Sequence, residues 1–343
     1  MGIGKFALWA TGPYLNDAIF DPAGPLNRDN CLSPWRSLKE QLAARGWECH
    51  TQDVYLKAGE TPGITLFLDI PGEPVGKLLK DWAPKTRKWA VLHECEIVIP
   101  RNWDMSLHSQ FERIFTWNEA WVDNKKYFKT NFSNHFPESL PTEIPGKEKL
   151  CVLISMQRKL GSPLELYSKR EEAIRWFERN HPEDFDLYGR GWNEYVFTGP
   201  RVVRALNRIK PLKKLLAPKF PSYRGEVASK LPVLGKYKFC ICYENTRDIP
   251  GYITEKIFDC LFAGCVPVYW GAPDIERYVP AACFVDRRKF PTHEALYAFL
   301  KGMSGADYAA KVAAGREFVL GKGPYQFSDR YFGETIAAGV ADD

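Results

Sequence analysis

The sequence predicts an α/β protein built from two successive domains, each with a mostly parallel sheet covered by helices. Three observations support this. Apolar runs of strand length alternate with helical segments along both halves of the chain. A segment with three prolines and three acidic residues, 134–149, interrupts this alternation near the middle. The chain has 343 residues, enough for two cores of ordinary size. We therefore expect two domains that face each other across a central cleft.

The first half contains the strand and helix signals of a Rossmann-like domain at 1–140. Strands are predicted at 6–10, 48–53, 64–70 and 89–93. The segment 34–46 (PWRSLKEQLAARG) is amphipathic and ends at a glycine, which is typical of a helix. The interruption that follows indicates a linker at 141–149.

The second half restarts the same alternation and predicts a second Rossmann-like domain at 150–325. Strands are predicted at 150–155, 185–188, 239–243, 266–270 and 283–286, and helices at 166–180, 254–264 and 292–302. The remaining segment, 326–343, contains a predicted helix at 328–339. We expect that helix to pack back across the cleft toward the first domain.

Composition and charge limit the possible ligands. The chain is 45% hydrophobic and 14% aromatic with a net charge of +5. A charge this small fits an anionic small ligand or a membrane surface, and it does not support nucleic-acid binding without a dedicated motif. The eleven Trp residues suit stacking on sugars or bases, although core packing is the simpler explanation for any single one of them.

The cysteines and the N-terminus predict a cytoplasmic protein. The nine cysteines are scattered, several lie inside apolar runs, and no CxxC pair or Cys/His metal spacing occurs. They therefore indicate buried free thiols in a reducing compartment, with no metal site. The N-terminal segment has no apolar run long enough for a signal peptide or a membrane span.

The segment 201–219 (RVVRALNRIKPLKKLLAPK) stands out because it carries seven basic residues and no acidic one. Its apolar positions recur at near-helical spacing on both sides of Pro211. Three interpretations stay open: peripheral contact with an anionic membrane surface, contact with a pyrophosphate, or a solvated basic face.

The most informative segment is 237–273, which reads as strand, polar loop, helix and strand. Ligands of open α/β sheets bind where strands end, and helix N-termini there attract anions. Lys256, in the first helical turn, suits a pyrophosphate, and Glu255 suits a ribose hydroxyl. Glu244 and Asn245 follow the strand, and Tyr252 precedes the helix, so all three are expected to face the cleft. The alternative is an ordinary turn and an ordinary first helical turn.

Two carboxylates in the first half are candidates for acid–base chemistry. Glu94 and Glu96 follow the strand predicted at 89–93, and a spacing of two places both on one face of an extended chain. A half-buried carboxylate there has a raised pKa and suits a general base. The alternative is a pair of solvent-facing acids without chemistry.

The residues of segment 237–273 resemble the signature of a known family. The segment YKFCICYEN…GYITEKIFDCLFAGCVPVYWGAP resembles the donor-binding signature of the α1,3/1,4-fucosyltransferases, glycosyltransferase family 10, nearly without a gap over 237–273. Two weaker matches accompany it: ELYSKR…IRWFE…FDLYGRGW resembles the start of that family's donor domain, and HECEIVIPRNW…FERIFTWNE resembles its acceptor-side segment.

The resemblance implies the GT-B fold and an inverting transferase that moves L-fucose from GDP-fucose to a hydroxyl of an acceptor glycan, α1,3 or α1,4 to GlcNAc or Glc. It implies that Glu94 is the general base, that Asn245, Tyr252 and Lys256 contact the diphosphate, and that Glu255 contacts the ribose. No metal is required, because Lys256 and the helix amides offset the charge on departing GDP. Some relatives are stimulated by Mn²⁺, which leaves a metal role open.

The chain also departs from the family pattern. Cys95 and Glu96 stand where the family has Ser-Pro, which keeps Glu96 open as the alternative base. The family places an arginine on the pyrophosphate, and Arg224 is the first choice here, with Arg190 and Arg201 as alternatives.

Animal relatives carry a membrane anchor and disulfides, and neither is indicated here. The resemblance is therefore to a bacterial-type enzyme that acts on lipopolysaccharide or lipid-linked glycans, with 201–219 as its contact with the inner face of the membrane. Two alternative functions remain: a GT-B transferase that uses another nucleotide sugar, and a non-catalytic module that binds glycans or nucleotides.

Overall fold

The protein is described from a computed structural model that covers residues 3–82, 85–140, 146–197 and 199–342. Its framework is a pair of parallel sheets, one from each half of the chain. Both sheets are flanked by helices, so the predicted α/β architecture is confirmed. The first five residues of the predicted linker, 141–145, lie outside the described residues, and its last residue already belongs to the second sheet.

The first sheet has the strand order β2-β1-β3-β4-β5-β6, and its neighbouring strands are parallel. Its strands are β1 (Gly4–Trp9), β2 (Trp47–Thr51), β3 (Ile64–Leu68), β4 (Arg87–Leu92), β5 (Arg113–Thr116) and β6 (Tyr127–Lys129). The helices of this domain are α1 (Ser33–Ala43), α2 (Gln52–Ala58) and α3 (Val75–Leu78).

The second sheet has the order β11-β10-β9-β7-β8 and is also parallel. Its strands are β7 (Lys149–Ile154), β8 (Phe185–Tyr188), β9 (Tyr237–Tyr243), β10 (Val266–Trp270) and β11 (Val285–Asp286). The helices are α4 (Tyr167–Asn180), α5 (Arg201–Ala205), α6 (Lys210–Leu215), α7 (Leu231–Leu234), α8 (Glu255–Phe262), α9 (His293–Gly302), α10 (Gly305–Leu320) and α11 (Asp329–Ala338).

The order of the strands determines where ligands can bind. In each sheet the second strand in the chain pairs with one edge of the first strand, and the third pairs with the opposite edge. The strand order therefore reverses between β1 and β3 in the first sheet and between β7 and β9 in the second. Loops diverge above such a switch point and leave a crevice at the carboxyl ends of the strands. The loop after β9 and the N-terminus of α8 lie at this edge of the second sheet.

Some elements differ from those predicted. The strand predicted at 48–53 ends at Thr51, because α2 begins at Gln52. The strand predicted at 283–286 begins two residues later, after a short 3-10 turn. The strands β5 and β6 and the helix α10 carried no prediction. The first two are short, and the apolar residues of α10 are mostly alanines, so none has a strong periodic signal.

The C-terminal helix crosses back to the first domain, as the sequence suggested. α11 lies along α1, and Phe332 and Ile336 enter the same core as Trp35 and Leu38. The start of α11 is held by an ion pair of 2.8 Å between His135 Nδ1 and Asp329 Oδ2. Within the described ranges, no helix is both long and apolar enough to cross a lipid bilayer.

Polar contacts join the domains on both sides of the cleft. On one side, Asp29 accepts a hydrogen bond from the backbone N–H of Lys230 at 3.1 Å and another from the hydroxyl of Ser229. On the other side, the Tyr278 hydroxyl donates to Glu119 at 2.6 Å. These contacts hold the carboxyl ends of the strands of the two sheets on opposite sides of the cleft.

Candidate functional site

The N-terminus of α8 is organised by Glu244, the residue directly after β9. Its side chain is 0% exposed. Its carboxylate accepts hydrogen bonds from the Thr254 backbone N–H at 2.8 Å and hydroxyl at 2.7 Å, and from Lys256 Nζ at 3.2 Å. A Cβ on Gly271 would lie 2.5 Å from Glu244 Cγ, so glycine provides room for this buried carboxylate. Glu244 was expected to face the cleft, and the structure corrects this because the helix end and Lys256 occupy its oxygens.

Lys256 carries a stable positive charge at this helix end. Burial lowers the pKa of its ammonium group, but the carboxylates of Glu244 and Glu255 outweigh burial and raise it. The side chain is 23% exposed, so the charge remains partly accessible. Lys256 is therefore a partly accessible positive charge at a helix N-terminus, and such ends attract anions.

Glu255 lies on the wall of the cleft next to a lysine that the sequence did not single out. Lys230 Nζ is 3.5 Å from the Glu255 carboxylate and 2.6 Å from that of Asp259. Burial raises the pKa of Glu255, but Lys256 and Lys230 hold it at about 2. Since 42% of the Glu255 side chain is exposed, an ionised carboxylate remains available to hydroxyl groups.

Tyr252 connects the two domains. Its ring is 0% exposed and packs between Trp117 and Phe132 at centroid distances of 5.2 and 5.6 Å. Its hydroxyl accepts from Asn245 Nδ2 at 3.1 Å and donates to Glu94 Oε2 at 3.4 Å. Burial raises the pKa of Tyr252, so the hydroxyl stays protonated. The expected contact with a diphosphate is therefore replaced by a bridge from Asn245 to Glu94.

The two candidate bases have different surroundings. Glu94 is half-buried and lines the cleft, whereas Glu96 is exposed and does not line it. Burial and the nearby charge of Asp69 raise the pKa of Glu94, and Lys256 and the Tyr252 hydroxyl partly offset this. A carboxylate with a raised pKa on a cleft wall has the properties of a general base.

The loop that carries Glu94 is fixed by Asp69 and Asn102, which the sequence analysis did not identify. Asp69 adopts a φ of 57° and accepts hydrogen bonds from His93 N at 2.7 Å, Glu94 N at 3.2 Å and Asn102 Nδ2 at 2.6 Å. Asn102 Nδ2 also donates to the Glu94 carbonyl at 3.0 Å. The position of Asp69 directly after β3, at the carboxyl edge of the sheet, was the available signal.

Arg170, on α4, is a second group that the sequence did not reveal. Its side chain is buried, and Nη2 donates to the carbonyls of Tyr243 and Glu244 at 2.7 Å each and to Asn245 Oδ1 at 3.2 Å. It therefore orients Asn245 from beneath the end of β9. In the sequence it is one of several basic residues in a charged helix, and nothing there distinguishes it.

A cavity of about 990 Å³ lies between the domains. This is large enough for a nucleotide sugar together with part of a second substrate. Asn245 and Lys256 do not line it. Its lining includes Asp29, Trp35, Asp69, His93 and Glu94 of the first domain and Lys230, Glu255 and Asp259 of the second.

The three predicted arginines do not line this cavity. Arg224 Nε pairs with Asp186 Oδ1 at 2.7 Å, and Arg190 Nε pairs with Glu226 at 3.2 Å. Arg201 is exposed at the start of α5. The arginines in the cavity lining are instead Arg28 and Arg316.

Among the described residues, the cysteines form no disulfide and the possible metal ligands form no cluster. All nine cysteines lie in the described ranges and are unpaired, and eight of them are buried. In the part of the chain that the structure describes, no group of three or more His, Cys, Asp or Glu side chains is placed to hold a metal ion.

Comparisons with known proteins identify proteins that are similar to parts of this chain. Residues 165–310 match the model of the glycosyltransferase family 10 (fucosyltransferase) C-terminal domain. An alpha-(1,3)-fucosyltransferase of Helicobacter pylori is 30% identical over 142 residues, and an alpha-(1,4)-fucosyltransferase of Arabidopsis thaliana is 38% identical over 68 residues. These alignments cover 36% and 20% of this chain and only 28% and 17% of those relatives.

Solved structures share the fold over most of the chain. An alpha1,3-fucosyltransferase with GDP superposes with a TM-score of 0.52 at 14% identity and covers 90% of this chain and 80% of its own. An alpha-glucosyltransferase with UDP and DNA superposes with a TM-score of 0.57 at 12% identity and covers 99% of both chains. These neighbours are GT-B glycosyltransferases, so the predicted GT-B fold is confirmed. The site at α8 lies within residues 165–310, the segment that matches the model of the glycosyltransferase family 10 (fucosyltransferase) C-terminal domain.

Proposed function

We propose that the protein is an inverting fucosyltransferase that moves L-fucose from GDP-fucose to a hydroxyl of an acceptor glycan. One observation carries the proposal. A half-buried glutamate, Glu94, lines the same cavity as Glu255, which opens a helix in the family 10 domain. Glu94 and Glu255 therefore support a proposal in which the first domain supplies the base and the second domain supplies the carboxylate that binds the ribose.

The proposed reaction is a single in-line displacement. The acceptor oxygen bonds to C1 of fucose while the bond from C1 to the phosphate oxygen breaks, and the acceptor proton moves to Glu94. Lys256 and the amides of α8 offset the charge that develops on GDP. Glu255 accepts hydrogen bonds from the ribose, and Asn245 contacts the diphosphate. Glu244, Tyr252 and Arg170 hold these groups in place. Which arginine contacts the pyrophosphate remains a prediction, with Arg224 ahead of Arg190 and Arg201.

Glu94→Gln is the first test. The amide keeps the shape of the side chain but cannot take a proton, so we expect GDP affinity by calorimetry to stay unchanged. Transfer should fall by about 10² to 10⁴. Lys256→Ala should instead weaken GDP binding. Glu96→Gln is the matched control, and loss of transfer in that variant with full activity in Glu94→Gln would move the base to Glu96.

The donor and the acceptor need separate measurements. Thermal shifts with GDP-fucose, GDP-mannose and UDP-sugars distinguish a fucosyltransferase from a transferase that uses another nucleotide sugar. Incubation with GDP-fucose and a glycan array, followed by linkage analysis, tests α1,3 or α1,4 transfer to GlcNAc or Glc. GDP binding without transfer to any glycan would favour a non-catalytic module.

We also propose that the basic helical surface, residues 201–219, contacts an anionic membrane on its cytoplasmic face, where lipid-linked or lipopolysaccharide glycans are built. Val202 and Leu215 are 82% and 80% exposed, beside seven basic residues. Apolar side chains with surrounding positive charges bind anionic interfaces.

Cosedimentation tests this contact. Wild-type protein should bind phosphatidylglycerol vesicles more strongly than phosphatidylcholine vesicles, and the double variant Val202→Gln/Leu215→Gln should bind several-fold less. Leu56→Gln, at an exposed leucine of the first domain, is the control. Equal sedimentation of wild type and the double variant would contradict the proposal.

A further inference from the structure

A second cavity of about 390 Å³ lies at the carboxyl edge of the first sheet. Trp9, the last residue of β1, and Leu68, the last residue of β3, both line it. The order of the sheet reverses between these two strands, so the cavity occupies the switch point at which α/β sheets bind ligands.

The wall of this cavity is mainly apolar. Leu68 is 42% exposed there, although it is a large hydrophobic residue. The backbone N–H and carbonyl of Ala10 are both occupied by Gln52, at 2.7 Å each. The polar side chains in the lining are Thr11, Tyr14 and Glu73, and the Glu73 carboxylate pairs with Lys77 at 2.7 Å. A sugar, whose hydroxyls need partners, would find few of them here, whereas an apolar group would bury surface. Its main side chains are Trp9, Tyr14, Trp35, Phe67, Leu68 and Leu78.

The cavity adjoins the one that contains Glu94. Trp35 and Leu68 line both cavities and form their shared wall. A ligand whose reacting hydroxyl lies at Glu94 would reach the apolar cavity over Leu68, which lines both cavities and is 42% exposed.

We propose that this cavity is an acceptor subsite for an apolar aglycone, so that the acceptor is a glycan attached to a hydrocarbon or aromatic group. The inference rests on the proposed function, because Glu94 must be where the acceptor hydroxyl reacts. Beyond the proposed function, it gives the chemical class of the aglycone, which is the part of the acceptor that does not react.

Calorimetry on the full chain saturated with GDP tests binding. The probes are methyl, octyl and p-nitrophenyl β-N-acetylglucosaminide, whose three aglycones separate a short group from an alkyl and an aromatic one. Because each buried methylene is worth about fourfold in affinity, the octyl glycoside should bind at least about tenfold more tightly than the methyl glycoside. Leu68→Gln should reduce this ratio several-fold. Leu56→Gln, at a leucine of similar exposure outside the cavity, and Leu215→Gln, on the basic helical surface, should preserve it.

The outcomes separate this inference from the proposed function. Equal affinity for the three glycosides, or the same loss in Leu68→Gln and Leu56→Gln, overturns the subsite, whether or not fucose is transferred. A preference for an apolar aglycone that depends on Leu68 supports the subsite even if GDP-fucose is not a donor. If only the p-nitrophenyl glycoside is preferred, the aglycone is aromatic.

Discussion

The chemistry expected of Glu94 follows from its immediate neighbours. Burial and Asp69 favour its protonated form, while Lys256 and the Tyr252 hydroxyl favour the carboxylate. A base must be ionised to accept a proton, so activity is expected to rise with pH through the pKa of Glu94. The balance of these neighbours therefore determines where the acidic limb of the pH profile lies.

Tyr252→Phe tests this balance. Loss of the hydroxyl removes a hydrogen bond that lowers the pKa of Glu94, so that pKa should rise. The acidic limb of kcat/KM for the acceptor should then move to higher pH, and activity at a given acidic pH should fall. Because the bond is long, at 3.4 Å, we expect a shift of less than about one pH unit.

Tyr278→Phe is the control for Tyr252→Phe. It also removes a hydrogen bond from a tyrosine to a glutamate of the other domain, but the acceptor is Glu119. If both variants shift the acidic limb equally, or if neither does, Tyr252 does not tune Glu94.

Two buried charged residues, Glu244 and Arg170, show how much residue type alone could predict. Glu244 and Lys256 both stood out in the sequence as polar groups near a strand exit. Only the fold shows that Glu244 faces inward, where it binds the Thr254 N–H and Lys256. Arg170 had no signal at all, since its partners are backbone carbonyls 73 and 74 residues away.

At the scale of elements, the prediction was closest where several local signals agree. β10 was predicted at its observed bounds, and α8 begins directly after its predicted first residue, Thr254. The helix α9 likewise begins after Thr292, whose side chain accepts a hydrogen bond from Ala295 N. α10 was missed because its alanines give little amphipathic contrast.

The contact between α1 and α11 depends on a glycine. A Cβ at Gly333 would lie 2.6 Å from Ser37 Oγ and 2.8 Å from the Ser37 carbonyl carbon. Gly333→Val should therefore push the helices apart and lower the free energy of unfolding by about 1–3 kcal/mol, measured by urea denaturation.

Gly305→Val is the matched control, because a Cβ at Gly305 meets nothing within 4 Å. Its unfolding midpoint should stay close to that of the wild type. Equal stability of the two variants would show that α11 does not pack closely against α1.

At the scale of the whole molecule, the contacts that hold the cleft also reach Glu255, the residue proposed to bind the ribose. Asp29 binds the segment at Ser229 and Lys230, and Lys230 in turn pairs with Glu255. Burial lowers the pKa of Lys230, but Glu255 and Asp259 raise it above its ordinary value, so the lysine stays charged. A first-domain carboxylate thus supports the residue that orients Glu255.

Asp29→Ala should loosen this arrangement. Hydrogen bonds to a charged group contribute about 1.5–3 kcal/mol, so we expect GDP to bind several-fold more weakly by calorimetry. The melting temperature should fall by a few degrees. Asp81→Ala, at an exposed aspartate of the same domain, is the control. GDP affinity and melting temperature equal to those of Asp81→Ala would show that the contact does not support the site.

The sequence by itself determined the α/β alternation and the strand, loop, helix and strand order of 237–273. These depend on periodicity, capping residues and turn residues that are close together in the chain. Tertiary structure alone decided which polar groups face the cleft, because Glu94 and Tyr252 meet across 158 residues. It also decided that Glu244 is buried and that an apolar cavity adjoins Glu94. Burial and contact across domains depend on how the two sheets are placed, and no local pattern encodes that placement.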